Sequence, residues 1–132
     1  MLIAYWILAT PLALVYVLAG VSQLAMSKAD LVAAGVAAAE VLPDALLITI
    51  GMLELAGAIG LILPMLTGVA VLLGPLSAAL LALVQLAAAA LHLVRMEPEV
   101  LVLNAPLLLL AAATATVGFL ALRQRAERVP AS

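Results

Sequence analysis

Apolar residues fill four blocks along the chain, and the polar interruptions between them fall near residues 27–44, 64–68 and 96–99. A block of about twenty apolar residues is what a helix needs to cross a hydrocarbon core of about 30 Å, since each residue adds about 1.5 Å. The pattern therefore predicts an all-α fold: an integral membrane four-transmembrane-helix bundle, with helices over about 2–26, 45–63, 69–94 and 100–122 in one domain of residues 1–132. Within the first helix, Tyr5 and Trp6 suit an interfacial aromatic belt and Pro11 is expected to bend the axis. Pro64 is expected to stop the second helix, with Thr67 and Gly68 turning the chain into the third as an antiparallel hairpin. In the third, Gly74-Pro75 marks either a kink or the start of its regular part.

The interruption from Ser27 to Pro43 is too polar to span. Its apolar middle can lie on the membrane surface as a short helix, with Ser27 and Asp30 spaced like a capping box, or remain a loop. In the second helix, Gly51, Gly57 and Gly60 supply the small side chains that let helices approach closely in lipid, where no hydrophobic force draws them together. Gly57 is expected to face a neighbouring helix.

Composition narrows the function. The chain is 69% hydrophobic and 9% charged, which matches membrane residence and not an ordinary soluble domain. With no cysteine, thiol exchange and thiolate metal ligation are excluded, and the single histidine cannot provide a bis-histidine haem site. A net charge of -2 without a basic run leaves no footprint for nucleic acid. The N-terminus has neither a basic segment nor a cleavage signal, so Leu2 onward reads as a retained helix. Arg123, Arg125 and Arg128 follow the last helix and place both termini in the cytoplasm under the positive-inside rule.

Against this background the polar residues inside the spans stand out. Glu54 lies in the middle of the second helix, where a carboxylate costs roughly 3 kcal/mol on insertion scales, so the bundle must offer it partners or a proton. Gln85, counted from the opposite end of the third helix, falls at the same depth and is the expected partner. Tyr16 and Gln23 share a face of the first helix, and Gln85 and His92 share one of the third. Asn104, two residues before Pro106, suits a cap at the start of the fourth helix, and Arg95 a side chain that snorkels to the interface. Taken together, Glu54 and His92 are the candidate catalytic pair, and Asn104, Gln85, Gln23, Tyr16 and Arg95 the candidate substrate-binding groups, with no metal site.

The stretches YVLAGVSQL (16–24), GMLELAGAIGLILP (51–64), the His92 end of the third helix and LNAPLLLLAAA (103–113) resemble, in order and spacing, the DoxX-like family of small four-helix membrane proteins. The resemblance implies roles for Glu54, His92 and Asn104. It also implies a basic residue where Gln23 stands, and that departure removes an ion pair to Glu54 and favours a Glu54 that keeps its proton. Some members resemble subunits of quinone-linked sulfur oxidation and others are tied to membrane complexes handling oxidative stress.

Two functions follow. One is a pocket for a lipophilic small molecule in which Glu54 performs acid/base chemistry: isomerisation, cyclisation or epoxide opening of a terpenoid or polyketide, or quinone-linked proton coupling. The other is a non-catalytic subunit that anchors an oxidoreductase or self-associates. No cofactor is implied beyond a bound quinone, and the expected setting is a bacterial plasma membrane. Ion passage ranks last, since the polar file occupies only one half of the bundle.

Overall fold

The computed structural model describes residues 1–128; the last four residues of the expected domain, 129–132, lie outside the described part. Six helices follow one another: α1 (Leu2–Ala25), α2 (Lys28–Ala33), α3 (Ala38–Val41), α4 (Asp44–Thr67), α5 (Leu73–Val94) and α6 (Pro98–Arg128). Four of them, α1, α4, α5 and α6, are long and apolar enough to cross a membrane. They pack in the cyclic order α1–α4–α5–α6, so each touches two neighbours and all four surround one core. That core is built from Leu12, Tyr16, Leu61 and Leu81 with alanines between them, while residues such as Ile3, Leu14, Ile59 and Leu109 point outward. An apolar exterior of this kind suits lipid, where packing and not hydrophobic exclusion holds helices together.

Helix ends depart from expectation in informative ways. Pro64 does not stop the second span: α4 continues to Thr67 and is closed by Gly68, whose φ of 74° is left-handed and whose N–H donates to the Pro64 carbonyl. A proline one turn from the end removes one backbone bond, but the helix still closes on its glycine. The third span begins at Leu73 instead of 69, with Gly74-Pro75 in its first turn, where a missing N–H costs nothing. The fourth begins at Pro98 and extends to Arg128. Asn104 consequently lies inside α6 and is not its cap.

Tyr5 also departs from expectation. It is fully buried, and its hydroxyl donates to the Leu61 carbonyl at 2.7 Å, so it ties α1 to α4 and takes no part in an aromatic belt.

The polar connection folds as two short helices. Ser27 caps α2 through its hydroxyl, which accepts from the Asp30 N–H at 3.2 Å. Leu31, Ala39 and Leu47 form a small cluster that fastens α2 and α3 onto the start of α4. We call residues 27–43 the strap. Met1 and Leu2 lie beside Gln124 and Arg125, so the start of α1 and the described end of α6 share the opposite end of the bundle.

Candidate functional site

Glu54 is positioned by a close helix crossing. A Cβ on Gly20 of α1 would lie 2.7 Å from the Gly51 carbonyl oxygen of α4, a distance only glycine permits. Side chains on a helix lean toward its N-terminus, so in this antiparallel pair Gln23 and Glu54 both lean back toward the crossing and meet. Gln23 Nε2 donates to Glu54 Oε2 at 2.8 Å. Glu54 is 7% exposed, and its other oxygen, Oε1, has no hydrogen-bond partner among the described residues. Gln23 Oε1 is buried and likewise unpartnered.

A second set of bonds runs beside the first. The Tyr16 hydroxyl donates to Gln85 Oε1 at 3.1 Å, and Gln85 Nε2 donates to Asn104 Oδ1 at 2.9 Å, which joins α1, α5 and α6. Asn104 Nδ2 has no partner among the described residues. The expected Glu54–Gln85 bond is not made. Both residues do sit at the same depth, but the Gly20–Gly51 crossing turns Glu54 toward α1, and Tyr16 and Asn104 use the amide of Gln85.

Both sets of bonds border one cavity of about 450 Å³ between the strap-end halves of α4 and α5. Its polar wall consists of Gln23, Glu54 and Gln85; the rest is apolar, with Ile50 and Leu53 from α4 and Val84 and Leu91 from α5. Val36 and Leu42 of the strap roof it. The cavity exists because α4 and α5 are pinned together at their other halves. There a Cβ on Gly57 would lie 2.6 Å from the Leu81 side chain, and one on Gly60 would lie 2.0 Å from Ser77 Oγ. Toward the strap, α5 presents only Ala87 and Ala88 at the gap, and these are too small to fill it. Small-molecule sites typically fall between about 300 and 1,000 Å³ with mostly apolar walls and a few placed polar groups. This cavity matches that description.

The structure therefore gathers three of the expected residues on the wall and places Tyr16 and Asn104 one layer behind, bonded to Gln85. His92 and Arg95 it places elsewhere. His92 is buried, with Nδ1 2.9 Å from Glu97 Oε2. Arg95 Nε donates to Glu97 Oε1 at 2.6 Å and Arg95 Nη2 to Glu40 Oε2 at 2.9 Å, so this guanidinium clasps the strap to the α5–α6 turn instead of snorkelling. Between the spans, the Glu97 carboxyl is held down to about 2, first by the hydrogen bond it accepts from Arg95 and then by the one it accepts from His92. Glu40, Glu97 and Lys28, whose ammonium donates to the Leu42 carbonyl at 2.8 Å, were legible only as loop charges. Their roles depend on which loops meet, which spacing along the chain does not reveal.

A model of the DoxX-like family matches residues 7–114, from the first turns of α1 into the middle of α6. The chain belongs to the DoxX-like family. Its four apolar helices and this membership make it an integral membrane protein. No curated protein and no solved structure matches the chain. The matched span includes Gln23, Glu54, Gln85, His92 and Asn104. In this DoxX-like protein an amide, not an ammonium, meets Glu54 from α1.

Proposed function

We propose that this DoxX-like membrane protein admits a lipophilic small molecule to the α4–α5 cavity and moves a proton to or from it through Glu54. One observation carries the reading: a buried carboxyl has one oxygen held by Gln23 and the other free at the wall of an otherwise apolar cavity. A carboxyl fixed through one oxygen and free at the other has the geometry of a general acid or base, a role that contributes typically about 10²–10⁴-fold to rate. Gln85, backed by Tyr16 and Asn104, orients the ligand's polar end. His92 and Arg95 act at the strap and not on the substrate. Reactions that need only such a proton transfer include isomerisation, cyclisation or epoxide opening of a terpenoid or polyketide, and quinone-linked proton coupling. The C-terminal arginines favour cytoplasmic termini, which sets the cavity near the outer face of the plasma membrane of a bacterium.

A second reading has its own support. The Gln23–Glu54 and Tyr16–Gln85–Asn104 bonds together link all four spans, as expected of polar residues that only hold a bundle together in a non-catalytic subunit of a membrane oxidoreductase. Glu54→Gln separates the two. Glutamine keeps the size of the side chain and its capacity to bond Gln23 but has no acidic proton. Catalysis by Glu54 requires a folded variant that loses roughly 100-fold or more in turnover of candidate lipophilic substrates. Undiminished turnover in a folded Glu54→Gln protein ends the acid/base reading and leaves the subunit reading.

A further inference from the structure

The cavity reading leaves open what kind of polar head the ligand carries, and the hydrogen-bond inventory of the wall narrows it. Gln23 spends its amide nitrogen on Glu54, which turns its carbonyl oxygen away, buried and without a donor. Glu54 Oε1 has no donor either among the described residues. Gln85 already accepts from Tyr16 and donates to Asn104. Of the two unmet oxygens, Glu54 Oε1 is the one at the cavity wall, whereas Gln23 Oε1 is buried out of a ligand's reach. Against an ionised Glu54 a carboxylate or phosphate head would set acceptor against acceptor, and a hydroxyl donates without charge, whereas a primary ammonium brings both donors and a counter-charge.

Charge points the same way. Among the described residues Glu54 has no cationic partner. Lys28 is bonded to the Leu42 carbonyl and lies 4.0 Å from Asp44, and Arg95 is held by Glu40 and Glu97. Arg123 pairs with Glu127 at the terminal end of α6, where Arg125 and Arg128 also lie. A carboxylate removed from water is costly without a counter-charge, and removing or lacking the partner of a buried charge is the expensive case. With the cavity empty Glu54 therefore stays the neutral acid, and the counter-charge that lets it ionise has to come from outside the chain.

Building on the cavity reading, we infer that the ligand is a lipophilic amine, bound with its ammonium against Glu54 Oε1 and its apolar body along Ile50, Leu53 and Val84. The uncharged amine crosses from the bilayer. One proton then passes from the Glu54 carboxyl oxygen to the amine nitrogen, breaking an O–H bond and forming an N–H bond. The product is an ammonium–carboxylate pair, nothing is oxidised or reduced, and release reverses the step.

The test uses the full-length protein in phosphatidylcholine nanodiscs with tritiated decylamine, 1-decanol and decanoic acid, counted above empty nanodiscs. Wild type should retain decylamine about tenfold more than decanol, as a charge-assisted hydrogen bond implies, and decanoic acid least. Two variants remove the feature differently. Glu54→Gln removes the charge, and Gln23→Lys supplies an internal ammonium from α1 that competes for it. Each, if monodisperse and helical, should lose the preference for decylamine while still retaining decanol. Should one variant fail to fold, the other decides. Equal retention of decylamine and decanol by wild type, or a preference that survives in the folded variants, overturns the amine inference and leaves the cavity intact. Retention of no probe above empty nanodiscs overturns the cavity reading along with it.

Discussion

The same two helices, α4 and α5, behave differently at their two ends. In the half nearer the start of α1, glycine faces Leu81 and Ser77 with no room for a methyl group, and Tyr5 stitches α1 to the Leu61 carbonyl. In the strap half the helices separate around a cavity of about 450 Å³, and the wall holds a carboxyl and two amides. One half brings α4 and α5 into direct contact; the other holds them apart around open space and, among the described residues, leaves unpartnered atoms on Glu54, Gln23 and Asn104. In lipid, close helix contact comes from shape, because the solvent is as apolar as the side chains. The tight half can therefore act as the clamp that holds the loose half open, and a bundle that relaxed uniformly would lose the cavity.

Gly57→Leu attacks the clamp and should have the largest effect. Its new side chain would overlap Leu81, and overpacking of this kind typically costs about 1–3 kcal/mol, more where backbones must part. Thermal unfolding in detergent should show a marked loss of folded bundle; unchanged stability would mean that the clamp is not what separates the halves.

Glu54→Leu attacks the loose half. It leaves the Gln23 amide buried without its partner, for about 1–3 kcal/mol, and abolishes the acid at the cavity wall. The damage should be repaired in stability, but not in turnover, by the second substitution Gln23→Leu, which removes the orphaned amide. If the pair is no more stable than Glu54→Leu alone, the 2.8 Å bond does not link α1 to α4 as described.

The smallest effect concerns the roof. Because Arg95 and His92 hold the Glu97 carboxyl near 2, against an ordinary 4.5, the clasp is fully made above the ordinary value and is lost as pH falls through about 2. Protection of the amides of residues 31–42, taken relative to their intrinsic exchange at each pH, should be the same at pH 7 and pH 5 and should fall progressively from about 4.5 down to about 2. Arg95→Ala should lower it at neutral pH, with the clamp half unchanged. A strap that loosens already between pH 7 and 5 would show that other groups hold the roof.

How much of this was legible in the sequence follows from the range of the forces involved. The Ser27 cap of α2 was legible because capping is a contact three residues long. The level placement of Glu54 and Gln85 was legible because helical rise is constant, so depth can be counted from a polar interruption. Pro64 misled because a missing N–H near a helix end is tolerated when a glycine in the left-handed region closes the helix one turn later. Tyr5 misled because an aromatic near a helix end suits an interface as well as a core, and only its neighbours decide.

By itself the sequence determined the four spans, the intramembrane acid and the polar residues at its depth, because the bilayer sets span length and penalises every charge inside it. Tertiary structure alone decided which of those residues touch. Rotation of each helix about its own axis is free in an isolated span and is set here by the Gly20–Gly51 crossing, which gives Glu54 to Gln23, and by the Gly57 and Gly60 contacts, which leave the cavity beyond them. The same packing takes His92 away from the acid and gives it to Glu97, since the turn after α5 folds back over the end of its own helix.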